Sequence, residues 1–353
     1  MTIINPFLFG RVVRGKNFCN RLDEMKRLRD TALAKGNVIL VSPRRYGKTS
    51  LVLNGLEKYN IPFLFIDCFD VTDEKSFLQK VLAAYCDALK KGDIIDKLKL
   101  FSRSLEIDYS FSTHGIQVHV HRIHESSLQA VLREVSKHYI LVFDEFQELF
   151  VADPQLTKKL RGILQLIQQG CIFLGSKKHL LVHLFSDQRS PFYHFGSLIH
   201  IEKIPQKEWI QFITKKFKET NITISEEEIT QLLNYAELIP FYVQYLCYYY
   251  WERKREGYNL SITKFIESLI KSNSYVYEEL YAKLPLIQQK ALRIAVQKET
   301  KVFTQDIIQQ FSISSTQALN KALNALVEKG FLEKNGTYHF NDPLFKLYIQ
   351  NIL

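Results

Sequence analysis

Residues 38–51 are Val-Ile-Leu-Val-Ser-Pro-Arg-Arg-Tyr-Gly-Lys-Thr-Ser-Leu, and this stretch is the most informative part of the sequence. The four apolar residues at its start, Val38–Val41, predict a short buried strand. The residues from Leu51 onward have the spacing of a helix. A tight loop that carries Gly-Lys-Thr at positions 47–49 therefore joins a strand to a helix.

This loop has the composition of a phosphate-binding loop. The amino end of a helix presents unpaired N–H groups and the positive end of the helix dipole, which attract phosphate. In the pattern G-x-x-x-x-G-K-[ST], the glycines let the backbone approach the phosphates, the lysine reaches the β- and γ-oxygens, and the last hydroxyl can ligate magnesium. Ser42 occupies the position of the first glycine, which a small residue tolerates if its φ stays negative. The predicted nucleotide-binding residues are Ser42, Pro43, Arg44, Arg45, Tyr46, Gly47, Lys48, Thr49 and Ser50.

A second acidic element follows a later strand. Tyr139–Phe143 are five consecutive apolar residues, which predict a strand buried on both faces, as in a parallel sheet. Asp144 and Glu145 come next, at the carboxyl end of the strand, where ligands bind in open α/β sheets. We expect Thr49 and Asp144 to hold magnesium and Glu145 to deprotonate an attacking water, with Lys48 contributing to catalysis.

The composition is that of an ordinary globular protein. The chain has 353 residues, 46% of them hydrophobic and 24% charged, which is enough for two or three domains. Five scattered cysteines without a C-x-x-C spacing predict neither a disulfide framework nor a zinc site. No signal-peptide pattern precedes residue 10, and the longest apolar stretch, 238–251, is too short to cross a bilayer. We expect a soluble cytoplasmic protein without a membrane partner.

The net charge of +10 attracts polyanions, but it does not identify one. The densest basic clusters, 215–218 and 253–255, come late in predicted helices, where cations complement the helix dipole. That structural role is the favoured interpretation over a specific nucleic-acid patch.

His119 and His121 have a spacing that suits metal ligands, but no carboxylate or cysteine completes the set. A half-exposed hairpin produces the same alternation.

Strand and helix patterns alternate in the first part of the chain, with a hairpin inserted before residue 124. Parallel strands joined by helices predict a three-layer α/β P-loop domain. Helical patterns dominate from Gln206 to about Tyr281, with Ser225 as the expected start of one helix. We therefore predict an α/β P-loop NTPase domain at 1–204, a helical lid at 205–281 and a winged helix at 282–353.

In the order of its motifs the chain resembles the AAA+/STAND-like P-loop ATPases of the archaeal type, which also occur in bacteria. Residues 44–51 are very similar to that family's P-loop, and residues 143–147 to its Walker B. Residues 18–28 resemble its Asn-Arg-x-x-Glu element, which implies that Arg21 packs near the adenine. Ser176 stands at the position of sensor 1, where a polar residue helps to place the attacking water. The resemblance covers about residues 1–345 and implies ATP with Mg²⁺ as cofactors.

The chain also departs from this family. The arginine that often follows a Pro-aromatic-Tyr motif is missing after Tyr193, which leaves Arg189 as a candidate arginine finger or a solvated loop residue. In the lid, Pro240 matches a proline that abuts the base in the family, but Leu238 replaces the glycine of that Gly-x-Pro motif. No sensor arginine follows. These departures are consistent with slow or partner-dependent hydrolysis.

The tail has the pattern of a winged helix: three helices and a hairpin that turns at Asn335-Gly336. The third helix would meet a major groove with its amino end, where Ser315, Gln317 and Lys321 are the candidate DNA contacts. That face is polar but only weakly basic. A winged helix that binds a protein, or the chain's own ATPase domain, is nearly as well supported as one that binds double-stranded DNA.

The sequence supports two hypotheses about function. The first is a slow ATPase whose ATP or ADP state switches assembly, including assembly into a homo-oligomer, or partner binding. The second is a DNA-binding initiator or loader that uses the winged helix and in which ATP only clamps the fold. A P-loop kinase is disfavoured, because no acceptor-binding motif is evident and residues 144–145 are an Asp-Glu pair.

Overall fold

The computed structural model of the chain describes residues 4–90, 93–101, 105–112, 115–175, 178–258, 260–297 and 302–352. They form two compact units, one of residues 12–202 and one of residues 203–352 together with 4–11. The predicted first domain, 1–204, includes residues 4–11, whereas in the structure these residues belong to the second unit. The Leu8 amide donates to Oε1 of Gln244 over 3.2 Å, so this segment packs with the helical unit.

The strands are β1 (Val38–Val41), β2 (Phe63–Asp67), β3 (Leu105–Ser112), β4 (Gly115–Ile123), β5 (Ile140–Asp144), β6 (Cys171–Gly175), β7 (Ser197–His200), β8 (Leu332–Asn335) and β9 (Thr337–Phe340). The helices of the first unit are α1 (Leu22–Leu33), α2 (Lys48–Lys58), α3 (Glu74–Ala88), α4 (Ile94–Lys99), α5 (Ser127–Val135), α6 (Gln147–Ala152), α7 (Pro154–Leu164) and α8 (Lys178–Ser186). Those of the second unit are α9 (Gln206–Lys218), α10 (Glu226–Tyr235), α11 (Pro240–Arg255), α12 (Ile262–Ser272), α13 (Ser274–Ala282), α14 (Leu286–Gln297), α15 (Gln305–Gln310), α16 (Thr316–Glu328) and α17 (Pro343–Asn351).

The first unit is built on a parallel sheet of five strands in the order β2-β5-β6-β1-β7. β6 therefore lies between β1, which precedes the Gly-Lys-Thr loop, and β5, which carries the Asp-Glu pair. Asp67 and Asp144 are register partners at one side of the sheet, and Val41 pairs with both Gly175 and His200 at the other. Because all five strands are parallel, their carboxyl ends meet at one edge.

Alternate residues of the central strands face opposite layers of helices. Phe143 and Phe173 belong to the core cluster shared with α3, α5, α7 and α8. Val142 and Leu174 belong to the cluster shared with α1 and α2. The predicted three-layer α/β architecture is confirmed, and the buried central strands explain why their sequences are uninterrupted apolar runs.

The predicted hairpin is confirmed as the antiparallel pair β3–β4. The pairing brings a carboxylate to the histidines, because Asp108 lies opposite His119 and its Oδ2 is 2.9 Å from Nε2 of His121. Strand pairing thus adds one carboxylate that the sequence pattern did not predict, because it joins residues that are distant in sequence. Among the described residues, no group of three or more His, Cys, Asp or Glu side chains has an arrangement that could hold a metal.

The second unit is helical up to α13, as predicted. Ser225 caps α10 in a capping box: its hydroxyl accepts from the Glu228 amide, and Glu228 Oε2 accepts from the Ser225 amide. One member of the predicted basic cluster is not solvated. The side chain of Lys216 is buried and its Nζ lies 3.2 Å from Oε2 of Glu219.

The carboxyl-terminal part of this unit has the helices α14, α15 and α16, followed by the hairpin β8–β9 and by α17. Three helices and the turn at Asn335-Gly336 are as predicted, whereas α17 was not predicted. The signal for α17 was present in the sequence. Asp342 caps the helix by accepting from the Leu344 and Phe345 amides, and Pro343 follows as its first residue. Within the described ranges, no helix has the length and apolarity needed to cross a membrane.

Candidate functional site

The loop from Ser42 to Gly47 connects β1 to the amino end of α2. Gly47 precedes the helix with a φ of 81°, in the left-handed region that favours glycine, and no atom lies within 4 Å of the position of a Cβ. Arg44 and Arg45 are exposed beside it. The space beside Gly47 is therefore open at the point where α2 begins, and the amino end of a helix is where a phosphate group binds.

Lys48 is the first residue of α2, and its side chain is only 7% exposed. Its ammonium donates to the Ser42 carbonyl over 3.1 Å, to the Ser42 hydroxyl over 3.3 Å and to the Pro43 carbonyl over 3.2 Å. The charge is thus held inside the curve of the loop by neutral oxygen atoms. Phosphate oxygens offer the same ammonium charged acceptors, which make stronger hydrogen bonds.

Thr49 lies on the other side of the same turn and faces the Asp-Glu pair. Its hydroxyl donates to Oδ2 of Asp144 over 2.8 Å. Thus the two predicted magnesium ligands lie side by side at the carboxyl edge of the sheet. Hydroxyl and carboxylate oxygens are ligands that Mg²⁺ accepts, so the pair fits the expected ion. Ser50, by contrast, is buried, and its hydroxyl accepts from the Val13 amide over 3.0 Å.

The environment of Asp144 disfavours its charged form. Burial raises the pKa of this carboxyl, and the nearby Glu145 charge acts in the same direction, while the Thr49 bond opposes both. A divalent cation at this carboxylate would offset the cost of burying the charge.

Glu145 has a left-handed backbone with a φ of 50°, and its amide donates to Oδ1 of Asp144 over 3.0 Å. Its Oε2 accepts from the side-chain amide of Gln147 over 2.6 Å. Gln147 lies in the stretch 143–147 that resembles a Walker B, and the sequence pattern predicts no role for it. The signal available in the sequence was a polar residue at the start of a short helix whose last four residues are apolar.

Arg21 is buried and joins two parts of the unit. Its Nη2 donates to the Tyr46 carbonyl over 3.3 Å and to the Glu202 carbonyl over 2.8 Å, and its Nη1 donates to Oε1 of Glu24 over 2.9 Å. The side chain therefore braces the phosphate loop against the end of the sheet. Packing of Arg21 against an adenine stays a prediction.

Two predicted catalytic residues, Ser176 and Arg189, have no described contact with this site. Ser176 follows the last residue of β6 in sequence and lies outside the described residues, so its role stays a prediction. Arg189 has a side chain that is 89% exposed, and its guanidinium is paired with Asp187 through Nη2–Oδ2 (3.1 Å) and Nε–Oδ1 (3.3 Å). The bond from Arg189 lowers the pKa of Asp187.

Pro240 is the first residue of α11, in the second unit. Leu238, which stands at the glycine position of the family's Gly-x-Pro motif, has a φ of 57°. The backbone therefore adopts the left-handed conformation that glycine would favour, although the residue is leucine. Contact of Pro240 with a base stays a prediction.

At the amino end of α16, residues 314–317 and Lys321 are exposed. The Ser315 hydroxyl caps the helix by accepting from the Ala318 amide over 3.2 Å. Gln317 and Lys321 are one turn apart on this helix, so they share a face. The predicted contact surface is therefore accessible within its unit, with Ser315 already used as a cap.

Comparison with known proteins agrees with this architecture. Residues 275–351 match a family described as a probable winged helix domain. A Walker-type ATPase of Pyrococcus abyssi shares the fold with a TM-score of 0.69 and 18% identity, over 98% of this chain and 100% of that one. The Aeropyrum pernix ORC2 protein, in its ADPNP-ADP complexes, matches with a TM-score of 0.55 and 12% identity, over 98% of both chains. The Aeropyrum pernix ORC1 protein in complex with DNA matches with a TM-score of 0.52 and 10% identity, over 96% of this chain and 94% of that one.

These similarities confirm the predicted fold, an α/β P-loop ATPase architecture that ends in a winged helix. The resemblance to AAA+-type ATPases is thus confirmed at the level of the fold.

Proposed function

We propose that the protein binds Mg²⁺–ATP at the loop 42–49 and hydrolyses it slowly, to switch its assembly or its binding to a partner. The observation that carries this proposal is the 2.8 Å hydrogen bond from Thr49 to Asp144. Thr49 and Asp144 were predicted as magnesium ligands from separate motifs, and they meet beside the amino end of α2. Gly47, which precedes this helix, has a left-handed backbone. Nucleotide complexes of the similar ORC2 structure support the same ligand class.

Each residue has a defined part in the proposed reaction. Lys48 and the first amides of α2 bind the phosphates, and Thr49 with Asp144 would hold Mg²⁺, which would neutralise charge on the phosphate oxygens. Glu145 accepts the proton of the attacking water, and Ser176 helps to place that water. Arg21 holds the loop, and the exposed Arg44 and Arg45 lie beside its mouth.

The proposal includes slow turnover for two reasons. Arg189, the candidate arginine finger, is paired with Asp187 in its own chain, so it would have to leave that carboxylate to serve a neighbouring subunit. In addition, the lid motif has Leu238 in place of a glycine. A homo-oligomer, a protein partner and a location in the cytoplasm stay predictions within this proposal, as does the division of the second unit into a lid at 205–281 and a winged helix at 282–353.

A second candidate function is a DNA-binding initiator or loader in which ATP clamps the fold. The exposed amino end of α16 favours it, because that is the end that meets the major groove in helix-turn-helix proteins. The similar ORC1 structure is a complex with DNA. ATP turnover that is stimulated by duplex DNA would support this function over a protein-directed switch.

The experiment that tests ATP binding is a calorimetric titration of Lys48→Ala with Mg²⁺–ATP. Removing the ammonium takes away the main countercharge of the phosphates, so affinity should fall by at least about 100-fold, or about 2.7 kcal/mol. Lys58→Ala is the matched control, because it removes an exposed lysine from the other end of α2 and should leave affinity unchanged. Undiminished affinity in Lys48→Ala would contradict the assignment of the loop.

A further inference from the structure

Gln147 is the first residue of α6, and its side chain is only 1% exposed. Its amide nitrogen Nε2 donates to Oε2 of Glu145 over 2.6 Å and to Oε1 of Glu148 over 3.2 Å. A buried neutral amide thus stands between two carboxylates. One of them belongs to the residue proposed to activate the attacking water.

The orientation of this amide is determined by its surroundings. With Nε2 toward the carboxylates, two N–H groups meet two negatively charged oxygens. Exchanging the amide nitrogen and oxygen would place a carbonyl oxygen against both carboxylates, which is repulsive. The donor side of Gln147 therefore faces Glu145.

The other side of the amide packs against the end of β6. A Cβ built on Gly175 would lie 2.1 Å from Oε1 of Gln147, so only glycine leaves room for the amide. Oε1 is buried and has no hydrogen-bond partner among the described residues. Because Gly175 limits how far the side chain can shift, packing as well as hydrogen bonding holds Gln147 toward Glu145.

The Glu145 side chain is also constrained by its own backbone. Its φ of 50° is uncommon for a residue with a Cβ, and its amide is tied to Asp144. The backbone contact and the hydrogen bond at Oε2 together restrict the direction of the Glu145 carboxylate. A general base needs such a fixed direction, because it must meet the proton of water at hydrogen-bond distance.

From these contacts we infer that Gln147 is a positioning residue for ATP hydrolysis, one that orients the Glu145 carboxylate toward the attacking water. The inference rests on the proposed function. In the step that it serves, the water oxygen forms a bond to the γ-phosphorus, the bond from that phosphorus to the ADP oxygen breaks, and the water proton goes to Glu145. Gln147 exchanges no proton and touches no substrate atom in this scheme.

The test is the steady-state kinetics of Gln147→Met, which keeps the length of the side chain but removes the N–H donors. We expect kcat to fall about 10- to 100-fold through misplacement of the base, with the KM for ATP and the calorimetric ATP affinity unchanged. Gln155→Met is the matched control, since it makes the same change at an exposed glutamine in the first turn of α7 and should retain wild-type kcat. A purely structural role would instead lower the melting temperature and ATP affinity along with kcat.

A double variant separates the inference from the proposed function. Glu145→Gln with Gln147→Met should be no slower than Glu145→Gln alone, because the positioned group is already lost. Gly175→Ala displaces Gln147 from the opposite side and should reproduce the loss of kcat if Gln147→Met does not fold. Suppose that Glu145→Gln abolishes turnover but that folded Gln147→Met or folded Gly175→Ala keeps the wild-type kcat. That result would overturn the role of Gln147 and would leave the ATPase assignment unchanged. Absence of turnover in the wild type would contradict the ATPase assignment itself.

Discussion

Thr49 donates its hydroxyl hydrogen to Oδ2 of Asp144 over 2.8 Å, although 95 positions separate the two residues in the chain. One residue follows the phosphate loop and the other ends a strand two places away in the sheet. The parallel arrangement brings both to the same edge. This contact is the geometric basis for the magnesium site that we propose.

Replacing Thr49 with valine should weaken the magnesium-dependent part of ATP binding. The substitution keeps the shape of the side chain and removes the oxygen, so the affinity gained on adding Mg²⁺ should fall by about 10-fold, or 1.4 kcal/mol. Titrations with and without Mg²⁺ measure this difference. Thr49→Ser keeps the hydroxyl and should behave as wild type, and equal losses in both variants would argue against a ligand role.

The pH dependence of magnesium binding should reflect the buried position of Asp144. Burial raises the pKa of this carboxyl, and protons compete with the cation for the same oxygens. Acidification should therefore weaken Mg²⁺-dependent ATP binding at a higher pH than it would for an exposed aspartate. A titration series across the acid range checks this, and Asp144→Asn should lose the pH-dependent component.

The raised pKa of Asp144 also affects the folding stability of the nucleotide-free protein. Because the pKa of Asp144 is higher in the folded than in the unfolded chain, its contribution to folding is favourable below the unfolded pKa and is lost as the pH rises through the folded pKa. At neutral pH the buried charge is therefore destabilising. Asp144→Asn should raise the melting temperature of the nucleotide-free protein by about 1–4 °C. A lower melting temperature would show that the charge is stabilised by contacts stronger than those at Thr49.

Much of this site could be predicted from the sequence because its motifs are local. The strand, loop and helix around residues 38–58 follow from apolar runs and from Gly-Lys-Thr, and the Asp-Glu pair follows a similar run at 139–143. Their convergence followed from one physical rule, that parallel strands present their carboxyl ends at one edge.

Other features depend on contacts that no local pattern encodes. Arg21 bonds to carbonyls 25 and 181 positions away, and Gln147, at the start of α6, packs against Gly175 at the end of β6. Asp108 reaches His121 only through the register of a hairpin. The docking of residues 4–11 on the helical unit likewise required the three-dimensional fold.

Arg189 allows a test of hydrolysis shared between subunits. If Arg189 serves a neighbour, the rate per chain should rise with protein concentration, and Arg189→Ala should flatten that rise without changing ATP affinity, since a finger acts on the transition state. Asp187→Asn weakens the hold on the guanidinium and should steepen the rise. Mixing Arg189→Ala with Glu145→Gln should restore part of the activity. A rate independent of concentration, with an inactive mixture, would make Arg189 a surface residue and the site self-contained.

The winged helix provides a separate test of the DNA-binding alternative. If α16 meets duplex DNA, Lys321→Ala should weaken binding and reduce the slope of log affinity against log salt by about 1. Gln317→Ala should change sequence preference more than salt dependence, because an amide has no charge to release counterions. Lys264→Ala removes one exposed lysine from α12 and controls for net charge. Equal effects of both lysine variants would indicate nonspecific attraction and favour a protein partner.

We propose that residues 42–49 together with Asp144 and Glu145 form a working ATP hydrolysis site. The most direct measurement compares phosphate release from Mg²⁺–ATP by the wild type and by Glu145→Gln, with bound nucleotide quantified in the same samples. The wild type should turn over, and Glu145→Gln should bind ATP with equal affinity while releasing phosphate at least about 100-fold more slowly. The amide keeps the size of the side chain but cannot take a proton from water. Equal phosphate release by the two proteins would show that Glu145 does not activate the attacking water and that hydrolysis does not occur at this site.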